Sequence, residues 1–121
     1  GHSEPLLVAN VHGVNFTFGS SDLTAQLRAI QELIDKHKGP VILAGDFNTW
    51  SNRRMDVVRQ MAVTHKLKSV SFQQQQPIGY FGHQLDHIYY RGLTPLHSRV
   101  TEVKSSDHYP LTVTFSLDSE T

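Results

Sequence analysis

The run PVILAG at residues 40–45 constrains the fold of this chain more than any other stretch. It carries no charge and includes the β-branched pair Val41 and Ile42, so it reads as a strand covered on both faces. Such a strand needs a layer on each side. Residues 22–38 supply one, because Leu23, Leu27, Ile30 and Ile34 recur at helical spacing. Ser20 or Ser21 is available as the N-cap of that helix, and Gly39-Pro40 makes a stop. Upstream, residues 5–12 (PLLVANVH) predict a buried strand that ends at a histidine.

Beyond the central run, residues 51–65 predict a second helix with Met55, Val58 and Ala62 facing inward. Residues 68–72 suit a short strand. Residues 73–84 hold five glutamines, one proline and two glycines, and read as a long loop. Three further strands are expected at 86–90, 100–104 and 111–117. The last alternates, with Leu111, Val113, Phe115 and Leu117 on one face and Thr112, Thr114 and Ser116 on the other. Two strand–helix units followed by a run of strands imply an α/β (α+β) fold, with one mixed sheet and helices on one face. The opposite sheet face also needs a cover, which this sequence does not obviously contain.

Composition matters chiefly by exclusion. In 121 residues there are no cysteines, which removes disulfides, thiolate nucleophiles and Cys-based zinc sites. Eleven basic residues balance eleven acidic ones, so net charge provides no steering toward nucleic acid or anionic membranes. No apolar run approaches the ~18 residues of a spanning helix. The cytoplasm is slightly favoured, with a periplasmic or membrane-tethered setting left open.

Three short motifs carry chemistry. In GDFN, Asp46 emerges from the buried run at a strand end, where active sites in α/β sheets commonly lie. Gly45 allows close approach of a ligand or another backbone, and Asn48 adds an amide donor. An Asx-type turn, with Asp46 bonded to its own backbone, is the competing reading. In SDHYP, Asp107 beside His108 can bind a hard cation and touch a phosphoryl oxygen, or can simply form a polar hairpin. In LDHI, Asp86 opens a strand, and a buried carboxylate there would need a partner, for which His108 is the candidate. Strand alternation turns His87 to the opposite face, as a packed or solvent-facing residue. His12, at another strand end, joins the candidates.

VANVH, VILAGDFN, LDHI and SSDHYPL, in this order and spacing, resemble the endonuclease/exonuclease/phosphatase superfamily, the DNase I-like proteins. GDFNTW and LDHIYYRGL look similar to bacterial members of unassigned substrate. The resemblance implies half of a four-layer α/β/β/α sandwich, and hydrolysis of a phosphate ester by in-line water attack. It implies that Asp46 orients or deprotonates the water and that Asn48 helps to hold it or the phosphate. By the same resemblance His108 stabilises the phosphoryl oxygens with Asp86 orienting it, Asp107 belongs to a magnesium site, and His12 contacts phosphate. Asn10, Arg53 and Arg54 are further substrate-binding candidates. Oxygen ligands suit Mg²⁺ or Mn²⁺.

The sequence departs from that family in one respect. The strands that carry the family's Asn and metal-binding Glu are not in this chain, so the metal site is incomplete here. Residues 1–3 read as the remnant of a cleaved tag, and 4–121 as the C-terminal portion of the domain. The expected partners are a phosphate-ester substrate, nucleic acid among the options, and the missing N-terminal half of the domain. Self-association through the exposed sheet face is a further expectation. This fragment alone is expected to be weakly active or inactive. A lipid or inositol-phosphate phosphatase of the same fold is one alternative, and a non-catalytic binding module is another. Tyr80 and Phe81, in the glutamine-rich loop, could stack on nucleic-acid bases or pack over their own scaffold.

Overall fold

A computed structural model describes residues 5–12, 21–49, 51–71, 86–101 and 111–118. Its elements run β1 (Leu7–His12), α1 (Ser21–Lys36), β2 (Val41–Asp46), α2 (Asn52–Thr64), β3 (Lys68–Ser69), β4 (Asp86–Arg91), β5 (Leu93–Val100) and β6 (Leu111–Leu117). The central run becomes the middle of a four-stranded sheet of order β1-β2-β4-β3. β1 pairs with β2 in parallel, which requires a crossover that α1 provides. β4 pairs antiparallel to β2 on its other side.

Both helices lie on one face of this sheet. Leu23, Leu27 and Ile34 of α1 and Val58, Met61 and Ala62 of α2 are buried in one cluster with Val11, Val41, Leu43 and Tyr89 of the strands. Each fully buried Leu or Ile there contributes roughly 1.5–3 kcal/mol. A polar tie adds to this packing, since the buried His65 at the end of α2 lies 2.9 Å from both Asp35 Oδ1 and Gln31 Oε1 of α1. Met55, expected inward, is only half-buried, while Met61 and Arg54 take fully buried positions.

The strands do not all join one sheet. β5 and β6 pair only with each other among the described residues, in an antiparallel two-stranded sheet. The separation occurs at Gly92, the single residue between β4 and β5, where φ is +75°. A Cβ at that position would lie 3.1 Å from Pro40 Cα, so glycine alone makes the corner without strain. The second sheet then approaches the face opposite the helices. Phe115 of β6 packs against Tyr90 of β4 with ring centroids 5.2 Å apart, and Ser98 Oγ donates to Ser71 O at 3.0 Å. The order of layers is therefore helices, mixed sheet, second sheet.

β5, from Leu93 to Val100, was not expected from the sequence and meets the strand expected at 100–104 only at Val100. Pro95 and a register shift between Pro95 and His97 interrupt its ladder, and only Leu93 and Val100 are buried. These features erase the alternation that marks a strand in a sequence. The long loop expected at 73–84 and most of residues 100–104 lie outside the described residues.

Candidate active site

The register of the four-stranded sheet determines which side chains meet. His12 is opposite Asp46 in the β1–β2 ladder, and Asp46 is opposite Asp86 in the β2–β4 ladder. All three have the strand parity opposite to Val11, Leu43 and Tyr89, so they share the face away from the helices. With strands spaced at about 4.8 Å, the row spans on the order of 10 Å. Asn10 lies two residues before His12 on the same face. Three motifs far apart in sequence thus form one line across the sheet edge.

A cleft of about 300 Å³ opens at this line, bordered by Asn10, Ala44, Asp46, Asp86, Ile88 and Leu111. Leu111 is the last residue of SSDHYPL and the first of β6, so that motif reaches the same cleft. Asp107 and His108 themselves lie outside the described residues, as do Tyr80 and Phe81. His12 adjoins Asp46 in register and does not border the cleft.

The loop after Asp46 is tightly specified. Gly45 has φ +143°, and a side chain there would collide with the Val11 backbone of β1. The close approach foreseen at this glycine is thus to a neighbouring strand. Asn48 N donates to Asp46 Oδ1 at 2.8 Å, which is an Asx turn. This turn is compatible with a site role, because a carboxylate offers about four lone-pair positions and the turn uses one. Asn48 is buried and left-handed at φ +52°, a conformation in which Asn is over-represented. Phe47, between them, is fully buried and meets His87 and Tyr89 edge-on, with centroids 5.7 and 5.9 Å away.

His87 is a packed residue on the helix side. It is 5% exposed, and its Nε2 lies 2.7 Å from Thr49 Oγ1 in a buried hydrogen bond. That bond ties the loop after Asn48 back to β4. Sequence reasoning did not find Thr49.

Arg54 departs from its expected role as a substrate contact. Its side chain is 1% exposed, and Nε donates to the Asn48 carbonyl at 2.6 Å. A guanidinium so enclosed is not presented to a substrate. Burial lowers its pKa below the ordinary arginine value, and the negative charge of Asp46 partly opposes that shift. The signal was present in the sequence, because Arg54, Val58, Met61 and Ala62 occupy one helical stripe. Arg53 is exposed on α2 and does not border the cleft.

For a divalent cation, Asp46 and Asp86 offer the hard oxygen donors that Mg²⁺ and Mn²⁺ take. Among the described residues, however, no group of three or more His, Asp or Glu is arranged to hold a metal ion. The described donor set does not close a metal site. No helix among these residues is long and apolar enough to cross a membrane.

Sheet order, cleft and motifs together define an α/β/β scaffold with Asp46 and Asp86 side by side at the strand ends. Residues 4–108 match the model of the endonuclease/exonuclease/phosphatase family, and the chain belongs to that family. The match runs from before β1 to His108, so it takes in VANVH, GDFN and LDHI whole and SDHYP as far as its histidine. A UPF0294 protein of Vibrio campbellii is 38% identical over 120 residues, covering 98% of this chain and 43% of that protein. One from Vibrio parahaemolyticus is 40% identical over 118 residues, covering 97% and 42%. The chain therefore spans less than half the length of these curated relatives.

Two solved structures share the fold. One is a functionally unknown conserved protein from Enterococcus faecalis, with a TM-score of 0.68 at 20% identity, covering 97% of this chain and 52% of that one. The other is the human Nocturnin catalytic domain with bound sulfate anion, with a TM-score of 0.58 at 24% identity, covering 91% and 46%. Family membership suggests phosphoester hydrolysis.

Proposed function

We propose that this chain carries the water-orienting and phosphate-facing part of a metal-dependent phosphoric ester hydrolase of the phosphodiesterase or nuclease-like kind. The observation that supports this reading most is the in-register row His12, Asp46, Asp86 beside a cleft that Leu111 of SSDHYPL also borders. In-line displacement at phosphorus depends on positioning and on preorganised charge more than on covalent chemistry. Asp46 orients the attacking water and accepts its proton, and Asn48 holds the water or the phosphate. His108, oriented by Asp86, donates to the phosphoryl oxygens, while His12 and Asn10 contact the phosphate. Arg53, from exposed α2, steers the remainder of the ester.

The cofactor in this reading is Mg²⁺ or Mn²⁺, with Asp107 contributing to its site. A bound divalent ion would neutralise charge on the phosphoryl group. The site is completed by the preceding half of the domain, which also covers the sheet face that Val8 leaves 58% exposed. Without that half the 121-residue chain is expected to be weakly active or inactive, and to cover the face by self-association.

The test is hydrolysis of bis-p-nitrophenyl phosphate by the full-length protein, with Mg²⁺ and with chelator. Metal-dependent release of nitrophenol supports the reading. Inactivity on this diester combined with activity on an inositol phosphate or a phospholipid would move it to the phosphatase alternative. Binding of such esters without turnover would make the protein a non-catalytic module.

A further inference from the structure

Arg54 sits where a charge is doubly disfavoured. It is buried, which penalises a guanidinium, and it lies in the first turn of α2, where the helix dipole repels cations. No acidic residue in that turn offsets it, and the Asp46 charge beyond the turn does so only in part. An apolar side chain would fill the same position of the Val58–Met61–Ala62 stripe without either penalty. Packing therefore does not explain an arginine here.

The contacts of Asn48 do. Its left-handed backbone is held from two sides: its N–H donates to Asp46 Oδ1 at 2.8 Å, and its carbonyl accepts from Arg54 Nε at 2.6 Å. Arg54 is itself anchored, since its backbone N–H donates at 3.2 Å to Oγ of Ser51, the N-cap of α2. A continuous path runs from the helix start through the guanidinium to the carbonyl of Asn48, the residue whose N–H, one peptide plane earlier, meets Asp46.

We propose that Arg54 is the positioning residue of the Asp46–Asn48 turn: it fixes the Asn48 carbonyl, and across the Asn48 Cα the preceding N–H, whose hydrogen bond orients the Asp46 carboxylate. Its bearing on hydrolysis rests on the reading of Asp46 as the water-orienting group. Its bearing on the turn does not. Arginine suits the task because its Nε–H is held in a rigid plane, whereas a lysine ammonium at this position would keep the charge and lose that geometry.

Amide hydrogen exchange on the 121-residue chain separates local from global effects, with Asn48 compared against Leu43 and Tyr89 in the sheet core. In Arg54→Met, exchange at Asn48 should accelerate roughly tenfold or more, the factor implied by losing one charge-assisted hydrogen bond. Leu43 and Tyr89 should keep their protection. Arg54→Lys should resemble Arg54→Met at Asn48. Unchanged exchange at Asn48, or equal acceleration at all three amides, would overturn the proposal. So would failure of both variants to fold, because Arg54 would then serve the fold and not the turn. In the full-length protein, Arg54→Lys should lower kcat on bis-p-nitrophenyl phosphate with KM nearly unchanged. If the wild type does not hydrolyse this ester, the reading of the active site fails while the exchange result still stands.

Discussion

Asp46 and Asp86 stand directly opposite each other in the β2–β4 ladder, on the sheet face turned away from both helices. Like charges in register across an antiparallel pair oppose folding, by up to about 1 kcal/mol for an ordinary pair. Arg54 offsets part of the Asp46 charge, and in the proposed reading the rest serves to polarise water or attract a cation.

The Asp46 carboxylate has two separable roles. Asp46→Ala removes the acceptor of the Asn48 amide and the charge that offsets buried Arg54. We expect a loss of about 1.5–3 kcal/mol in urea denaturation, the range for a hydrogen bond to a charged group. Asp46→Asn keeps an acceptor oxygen and should cost less than half as much.

Gly45→Ala should be severely destabilising. The added methyl group would occupy a strained φ and collide with the Val11 backbone. Strain and overpacking together should cost roughly 3 kcal/mol or more. The shift in urea midpoint measures it, and a change below 1 kcal/mol would mean that β1 can move away from β2.

His87 should behave as a structural residue. His87→Ala leaves a cavity beside Phe47 and Tyr89 and removes the hydrogen bond to the Thr49 hydroxyl. A loss of roughly 2–4 kcal/mol is expected. Activity per folded molecule should fall far less than in Asp46→Asn, read by assaying below the melting temperature.

Tyr89 gives the fold an alkaline limit. Burial raises its pKa above the ordinary tyrosine value, with the Arg59 charge acting weakly the other way. The folded state thus holds the phenolic proton more tightly than the unfolded chain does. Its contribution is complete below the unfolded value of about 10 and is lost as pH climbs from there through the folded value. Tyr89→Phe keeps the ring contact with Phe47 and removes the titration. Its melting temperature should decline less steeply than that of the wild type above pH ~10; parallel curves would show that another group sets the limit.

The parts of the fold most legible in the sequence are those where one physical pattern dominates. PVILAG reads as a central strand and is one, buried on the helix face at Val41 and Leu43 and half-buried on the other at Ile42 and Ala44, and 111–117 alternates because one side meets Tyr90 and the other meets solvent. β5 was missed because a proline, a bulge and a mostly exposed surface leave no period to detect. The mixed sheet with helices on one face was legible; the departure of β5 and β6 from it at Gly92 was not, because that corner depends on contact with Pro40, far away in sequence. In the site, strand-end acids were legible because a charge that terminates an apolar run marks an edge. Their alignment was not, since it depends on the register of three strands. Arg54 was misread because its charge suggested exposure, although the helical stripe it belongs to is buried.

The central claim is that Asp46 acts on the attacking water at a phosphoryl centre. Steady-state hydrolysis of bis-p-nitrophenyl phosphate in Mg²⁺ by the full-length protein and its Asp46→Asn variant tests it most directly. We expect a metal-dependent wild-type rate, and a fall in kcat of about two orders of magnitude or more in a variant that remains folded. A wild type without activity, or an Asp46→Asn protein as fast as the wild type, would contradict the account.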